Sequence, residues 1–280
     1  CTGVCTLILA PQLSILKRNF DRRLPLLMKV LVSVRCNNIP TPFSTLDPTE
    51  SFPKIRLRMV ITIDGPAGTG KSSVALTVAQ RLGFAFLDTG AMYRAIGLAA
   101  LRREANLENQ RELTFITRHA RIEFDWKKHP PGVLLNGEPV GHLLRSGDAT
   151  RAASYVAVVP EIRRILVEQQ RDIGAKLKDV VTEGRDQGSI VFPDATFKFY
   201  LDATPHERAR RRCAQLRARG EIVDFNEILN GIVSRDHRDA TRSTGPLQVP
   251  ADALVIDTTE LTQQQVIESL VEMVQQGTPR

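Results

Sequence analysis

Cysteine is scarce in this chain, and most of it lies at one end. The 280 residues include four cysteines, and three of them, Cys1, Cys5 and Cys36, fall within the first 58 residues. Cys213 has no partner in the rest of the sequence. A disulfide framework is therefore not expected there, which fits a reducing cytosol. The five histidines are scattered, and no Cys/His cluster has the spacing of a zinc site.

Long apolar runs are missing as well. Segments such as residues 24–34 are interrupted, in this case by Lys29, and are too short to cross a bilayer. We therefore expect no membrane partner and a cytoplasmic protein. The hydrophobic fraction of 42% over 280 residues is still enough for one full α/β core with inserted subdomains.

Net charge is small once the first 58 residues are set aside. The whole chain carries a formal charge of +7, but residues 1–58 hold nine basic and three acidic residues. The remainder has 29 of the 38 basic and 28 of the 31 acidic residues. This near-neutral balance argues against nucleic acid as a partner of the folded part.

Residues 1–58 differ from the rest in composition. They contain six of the 16 prolines and do not begin with methionine, whereas Met59 stands directly before the first predicted strand. An N-terminal tail and a misassigned start both explain this, and a basic targeting peptide is a third reading, although no clear cleavage pattern is present. We interpret residues 1–58 as an N-terminal extension, disordered or misassigned, and residues 59–280 as the functional domain.

A glycine-rich loop is the most informative stretch of the chain. Residues 65–72 fill every fixed position of the pattern G-x-x-x-x-G-K-[ST], between an apolar β-branched run and a helix-compatible segment. In such loops backbone amides and a helix N-terminus bind phosphates, the lysine reaches the β- and γ-phosphates and a hydroxyl binds Mg²⁺. The residues predicted to bind ATP are Gly65, Pro66, Ala67, Gly68, Thr69, Gly70, Lys71, Ser72 and Ser73, with either Ser72 or Ser73 as the magnesium ligand.

Strand and helix patterns alternate along the rest of the chain. The predicted strands are residues 60–63, 84–87, 179–182, 197–201 and 253–257, and the predicted helices include residues 73–82, 91–103, 160–171 and 261–274. This order predicts an α/β fold with a doubly wound parallel sheet and a ligand cleft at the carboxyl ends of the strands. Asp88, residues 183–186 and the phosphate loop all fall at such ends, so we expect them to converge.

A small antiparallel β element is predicted inside this pattern. Asn136 and Gly137 form a turn pair between the apolar residues 133–135 and residues 138–140, which is typical of a hairpin. Residues 121–125 alternate polar and apolar side chains and supply a third strand.

Arginine is concentrated in two stretches after residue 205. Residues 208–219 hold six arginines, and for Arg210, Arg217 and Arg219 a solvated helix face is the plainer interpretation. In the second stretch Arg235, Arg238 and Arg242 are spaced for one helix face, where they would clamp phosphates in a closing lid. Phosphoryl transfer needs this kind of positive charge, because its transition state spreads negative charge over oxygens.

Four motifs together resemble those of the bacterial cytidylate kinase family. They are residues 65–73, 88–95, 183–195 and 235–239, and the likeness extends over residues 59–275. The resemblance implies a P-loop kinase core, a nucleoside-monophosphate-binding insert at about residues 91–172 and an arginine-rich lid at about residues 205–242. It also implies transfer of the γ-phosphate of ATP to CMP or dCMP, with Mg²⁺.

The resemblance also implies which residues bind the acceptor. They are Arg94, Arg185 and Arg242 for its phosphate, Arg235 and Asp239 for its ribose, Ser154, Arg163 and Asp186 for its base, and Thr89 and Tyr93 for the wall of the base pocket. Lys71, Arg94, Arg185 and Arg242 would carry catalysis. Ala67 stands where the family often has Ser, Ser72-Ser73 stands where Gly-Thr is common, and Gln187 replaces a more usual Met.

Other functions remain open from the sequence alone. A kinase of the same fold for another small acceptor would not require Ser154, Arg163 and Asp186. A GTP-binding switch would need an Asn-Lys-x-Asp motif, which is absent. A nucleic-acid-dependent ATPase is a further alternative that the near-neutral charge disfavours. Nothing in the sequence demands more than a monomer.

Overall fold

The computed structural model describes residues 58–277, so the predicted extension lies outside the described residues except for Arg58. Eight strands are present in this part: β1 Val60–Asp64, β2 Ala85–Asp88, β3 Ile122–Asp125, β4 Gly132–Leu135, β5 Glu138–Pro139, β6 Val180–Glu183, β7 Phe197–Asp202 and β8 Leu254–Asp257. Five of them form a parallel sheet in the order β2-β6-β1-β7-β8. The predicted parallel sheet is confirmed.

Eight α-helices connect or cover these strands. They are α1 Lys71–Leu82, α2 Thr89–Arg102, α3 Gln110–His119, α4 Gly147–Val156, α5 Pro160–Lys176, α6 Pro205–Arg217, α7 Phe225–Thr241 and α8 Gln263–Gln276, within residues 58–277. The four helices expected from the sequence are confirmed with shifted ends. Helix α2, for example, begins two residues earlier than predicted, because the Asp88 carboxylate accepts a hydrogen bond from Ala91 N at 2.8 Å and caps it.

Helices pack on both faces of the sheet, as a doubly wound fold requires. Neighbouring residues of one strand point to opposite faces, and the two hydrophobic clusters divide accordingly. Leu87 and Val180 pack with helices α2 to α5, whereas Phe86 and Val181 pack with α1 and α8. The strands therefore lie buried between two helical layers, with their carboxyl ends free to build a site.

The small antiparallel sheet has the strand order β3-β4-β5. Its turn is formed by Asn136 and Gly137, with φ of 53° and 84°, the left-handed values that a two-residue hairpin needs. All three strands were expected from the sequence, and they are confirmed.

No helix within residues 58–277 is both long and apolar enough to cross a membrane.

Candidate functional site

The carboxyl ends of β1, β2 and β6 meet at one edge of the parallel sheet. Ser72 at the start of α1 donates a hydrogen bond to Glu183 Oε1 at 2.9 Å, and Thr89 at the start of α2 donates to Glu183 O at 2.7 Å. At the end of β1, Asp64 accepts hydrogen bonds from Gln187 N at 2.9 Å and from Gly188 N at 2.7 Å. The predicted convergence of these segments is confirmed.

The phosphate loop owes its shape to glycine. Gly65 has φ of 144°, and a Cβ there would overlap Leu201 O of the neighbouring strand. Gly70 precedes α1 with φ of 87° and gives the helix no side-chain cap. The first amides of α1 are thus left facing the loop, where they can bind an anion. The other predicted loop residues, Pro66, Ala67, Gly68 and Thr69, lie between these two glycines.

Lys71 is buried against the loop. Its Nζ donates to Pro66 O at 2.5 Å and to Thr69 Oγ1 at 3.4 Å. Burial lowers the pKa of Lys71 well below its usual value, and the charge of Arg185 lowers it further, while Glu183 raises it. An anion beside Lys71 would favour its charged form. This lysine is therefore placed to meet a phosphate.

Three arginines converge on one carboxylate. Asp239 lies 3.0 Å from Arg185 Nε, 4.0 Å from Arg235 Nε and 3.8 Å from Arg242 Nη1. Burial alone would raise the pKa of Asp239, but the charges of these three arginines together hold it below its usual value. One carboxylate thus balances three guanidinium groups, and the cluster keeps excess positive charge.

The lowered pKa of Arg235 reflects its burial among other positive charges. Burial lowers the pKa of Arg235 to about 10, and the charges of Arg185 and Arg94 contribute to the same shift. Arg94 pairs with Asp88 at 2.8 Å at the N-terminus of α2. Within the described residues, three buried guanidinium nitrogens have no hydrogen-bond partner: Arg94 Nε, Arg163 Nε and Arg242 Nη2. These donors are available to a ligand that carries oxygen atoms.

A buried ion pair stands next to this cluster. Arg163 Nη2 and Asp186 Oδ2 are in direct contact, and the two side chains are only 3% and 6% exposed. The Arg163 guanidinium lies 5.6 Å from the centre of the Tyr93 ring. Burial raises the pKa of Tyr93 to about 12, so its hydroxyl stays protonated near neutral pH. Together the three side chains present a donor, an acceptor and an aromatic face.

The Ser154 hydroxyl hydrogen-bonds within its own helix and not to the Arg163–Asp186 pair. Ser154 lies on α4 and is half-buried, and its hydroxyl donates to Thr150 O at 3.3 Å within the same helix. Its hydroxyl must rotate before it can serve a ligand.

A cavity of about 430 Å³ opens between α1, β2 and the small sheet. Its wall includes Ser72, Asp88 and Arg94 on one side and Phe124 and Val133 on the other. The insert and the parallel sheet therefore enclose space directly beside the phosphate-loop helix.

Comparison with known proteins agrees with this geometry. A family model described as "Cytidylate kinase" matches residues 61–276. The chain belongs to the cytidylate kinase family. A cytidylate kinase of Caldanaerobacter subterraneus subsp. tengcongensis is 45% identical over 224 residues, which cover 80% of this chain and 98% of that protein. The cytidylate kinase of Mannheimia succiniciproducens is 43% identical, with coverage of 78% and 96%, and cytidylate kinase 1 of Haemophilus influenzae is 41% identical, with coverage of 78% and 94%.

In this member of the cytidylate kinase family, a magnesium ion would find suitable ligands beside the phosphate loop. Burial raises the pKa of Glu183, and the charge of the neighbouring Asp88 raises it further. A cation bound beside these two carboxyl groups would favour their ionised forms. The Ser72 hydroxyl points at Glu183, whereas Ser73 contributes its backbone oxygen to Thr77. Mg²⁺ prefers such oxygen ligands together with phosphates and water.

One expected arrangement differs in the structure. Arg235, Arg238 and Arg242 were placed on one helix face, but α7 ends at Thr241 and the backbone extends at Arg242, with ψ of 141°. Arg242 still reaches the cluster, since its Nη1 lies 3.8 Å from Asp239 Oδ1. The chain then turns back, and Arg242 Nε donates to Gly245 O at 2.5 Å. Arg238 is exposed and bonds to Ser234 O at 3.4 Å, so it does not join Asp239.

Sequence reasoning missed Arg208, which it left within a run of charges. Arg208 is 3% exposed, and its Nη1 lies 3.0 Å from Ala67 O in the phosphate loop and 2.6 Å from Asp236 Oδ2 on α7. It ties the loop to the second helix of the predicted lid. The signal that could have found it is its position as the fourth residue of a helix that begins directly after a buried strand.

Gln187, which had no explanation from the sequence, belongs to a buried polar chain. Its Oε1 accepts from Thr182 Oγ1 at 2.9 Å and its Nε2 donates to Gln170 Oε1 at 3.2 Å. Gln170 in turn hydrogen-bonds with Tyr93. An amide at this position therefore supports the wall of the pocket that Tyr93 forms.

Proposed function

We propose that this chain transfers the γ-phosphate of ATP to CMP or dCMP, giving ADP and CDP or dCDP. The observation that carries the proposal is a group of buried guanidinium nitrogens without partners in residues 58–277, next to a phosphate loop and a buried Arg–Asp pair. A nucleoside triphosphate in the loop, together with a nucleoside monophosphate whose phosphate meets the arginines and whose base meets the Arg–Asp pair, matches these three features.

The donor triphosphate lies in the phosphate loop. Backbone amides of the loop and the first turn of α1 hold its phosphates, and Lys71 contacts the β- and γ-phosphates. Ser72, oriented by Glu183, is the proposed protein ligand of Mg²⁺, with Ser73 the alternative. The ion supplies positive charge that neutralises the phosphate oxygens. Arg208 keeps the loop in place through Ala67 O.

The acceptor phosphate binds the arginine cluster. Arg94, Arg185 and Arg242 surround it, and the free nitrogens of Arg94 and Arg242 bond to its oxygens. Arg235 and Asp239 bond to the ribose hydroxyls. An acceptor phosphate is already a nucleophile near neutral pH, so the reaction needs alignment and positive charge rather than a catalytic base. Lys71, Arg94, Arg185 and Arg242 supply that charge in the transition state.

The base is read by Arg163 and Asp186. Cytosine offers an amino donor beside two acceptors, so the carboxylate of Asp186 meets the amino group and the guanidinium of Arg163 meets the ring nitrogen and the 2-oxo group. Uracil presents an oxygen to the carboxylate and is disfavoured, because a buried polar group would be left unpaired. Ser154 adds a hydroxyl, and Thr89 and Tyr93 complete the wall.

The remaining expectations complete this proposal. The insert at about residues 91–172 closes over the acceptor, and the lid at about residues 205–242 brings its arginines to the phosphates. The enzyme acts as a cytoplasmic monomer, and neither nucleic acid nor membrane takes part. The buried free thiol of Cys213 is compatible with a reducing compartment.

An acceptor panel tests the function. Purified protein with ATP and Mg²⁺ is given CMP, dCMP, UMP, AMP, GMP or shikimate, and ADP formation is measured for the full chain and for residues 59–280. We expect CMP and dCMP to react far faster than the others in both proteins. Equal rates over the panel would contradict the base assignment, and absence of CMP turnover in both would contradict the proposed activity.

A further inference from the structure

A short segment after α7 lies directly on the base-reading pair. We call residues 243–247 the strap. Gly245 is buried in it, and a Cβ at this position would come within 3.0 Å of both Arg163 Nη2 and Asp186 Oδ2, and to 2.8 Å from Arg163 Cζ. Real Cβ atoms do not approach other atoms so closely. The strap backbone therefore contacts the ion pair at a distance that only glycine permits.

Two hydrogen bonds hold the strap there, and each joins it to a residue of the acceptor site. Arg242 Nε donates to Gly245 O at 2.5 Å, and Leu247 N donates to Asp239 O at 2.7 Å. Gly245 has φ of 59°, the left-handed conformation that lets the chain turn back onto the pair. The strap thus joins the phosphate-binding arginine to the base-reading pair.

The pair is confined on a second side by Tyr93, whose ring lies 5.6 Å from the Arg163 guanidinium. The Tyr93 ring lies over Arg163 and the glycine backbone lies against both Arg163 and Asp186, so the ends of the two side chains are held in one arrangement. Recognition by hydrogen bonds depends on such fixed positions, because an error of about 1 Å in a positioned group is costly.

We propose that Gly245 is a specificity-determining residue, whose missing side chain lets the strap fix Arg163 and Asp186 in the arrangement that selects cytosine over uracil. This inference rests on the proposed function. A methyl group at this position is accommodated most easily by movement of the ends of these two flexible side chains. We therefore expect the variant to lose selectivity.

The experiment compares the ratio of kcat/KM for CMP to that for UMP in Gly245→Ala and in two other variants. Gly220→Ala is the matched control, because Gly220 also has a positive φ, of 81°, but nothing lies within 4 Å of its Cβ position. Asp186→Asn reports what direct damage to base reading does. We expect the CMP:UMP ratio to fall at least tenfold in Gly245→Ala, to stay at the wild-type value in Gly220→Ala, and KM for ATP to stay unchanged in both.

A second variant separates the effect of backbone strain at residue 245 from the effect of the added Cβ on the Arg163–Asp186 pair. Gly245→Asn places the same Cβ against the pair, but asparagine tolerates the left-handed conformation better than alanine. We expect the same loss of selectivity in Gly245→Asn, so the test survives if Gly245→Ala does not fold. In the double variant Gly245→Ala/Asp186→Asn the two losses should not add, since both disturb the same Arg163–Asp186 pair.

The outcomes separate the two proposals. Wild-type protein without CMP turnover, or with the same ratio in Asp186→Asn, would contradict the proposed function itself. A wild-type preference that Asp186→Asn abolishes but that both Gly245 variants retain would overturn only the role of Gly245. Additive losses in the double variant would also overturn it.

Discussion

The donor and acceptor halves of the site are built in opposite ways. The phosphate loop consists of nine consecutive residues, and its geometry depends on glycine conformations and backbone amides. The acceptor half collects side chains from α2, α5, the turn after β6, α7 and Arg242, which follows α7, and ion pairs hold them in place. A local motif is fixed by its own backbone, whereas a dispersed cluster depends on charge compensation between distant residues.

This difference has a consequence for mutation. In the donor half the backbone does most of the binding, so we expect few side chains other than Lys71 to matter strongly. In the acceptor half Arg185, Arg235 and Arg242 share one partner, Asp239, so the loss of one of them changes the position of the other two. Variants in the two halves should therefore separate cleanly into effects on ATP and effects on CMP.

The largest effect is expected at the donor side. Lys71→Met removes the positive charge beside the transferred phosphoryl group, and loss of one preorganised transition-state contact costs about 10²–10³-fold in kcat. Steady-state kinetics with CMP measures it. Lys178→Met removes an equal charge from an exposed position and serves as the control. A Lys71→Met enzyme with near-normal kcat would mean that the loop lysine does not act on the reacting phosphate.

A smaller effect is expected at the acceptor side. Arg242→Lys keeps the positive charge but removes the guanidinium group. In the wild type the Nε of that group donates to Gly245 O, and its Nη2 is available to the acceptor phosphate. A charged hydrogen bond contributes about 1.5–3 kcal/mol, so we expect KM for CMP to rise about 10- to 100-fold. KM for ATP should hardly change. Arg238→Lys, at an exposed position of the preceding helix α7, should behave as wild type. An equal rise in both KM values would show that the two halves do not separate.

A third variant distinguishes the two serines of the loop. Ser72→Ala removes the hydroxyl that donates to Glu183, and loss of one interaction of about 1 kcal/mol raises the Mg²⁺ concentration for half-maximal rate about fivefold. Ser73→Ala is the matched control, expected to leave this concentration unchanged. The rate is followed at saturating ATP and CMP while Mg²⁺ is titrated. The reverse result would assign the ion to Ser73.

The sequence predicted the local features better than the long-range ones. The five parallel strands, the phosphate loop and the hairpin turn each follow from a few neighbouring residues, and all were found. Helix α4 was not predicted, because its buried face is mostly small and it packs where Gly97 of α2 allows close approach; a Cβ there would lie 2.9 Å from Ala153 N. Such packing depends on residues more than fifty positions away.

The same limit applies to the site. Arg163 and Asp186 came from a resemblance, but nothing in their own neighbourhoods reveals that Gly245 lies on them. Arg208 bonds to Ala67, which is 141 positions distant. The extended backbone at Arg242 was hidden by a spacing that also suits a helix. The tertiary fold brings the members of such charge clusters together, and the periodicity of the sequence does not predict these long-range contacts.

Asp64 is expected to have the smallest effect on the reaction and a clear effect on stability. Its carboxylate accepts two backbone hydrogen bonds from the turn after β6, whereas the side chain of Asp64→Asn offers only one oxygen. Loss of one such bond costs about 1–3 kcal/mol of the free energy of unfolding at neutral pH. Urea denaturation measures it, and CMP turnover of the folded variant should stay close to wild type.

The pH dependence of that effect has a definite sign. Burial raises the pKa of Asp64 from its usual 3.8 to about 6, so this group binds its proton more tightly in the folded state than in the unfolded state. The part of the stability that comes from this pKa shift is fully present below pH 3.8 and is lost as the pH rises through 6, while the part that comes from the second hydrogen bond remains at neutral pH. The stability advantage of wild type over Asp64→Asn should therefore shrink between pH 4 and pH 7. An advantage that grows over this range would mean that Asp64 is ionised throughout, and that the turn after β6 is held by its charge.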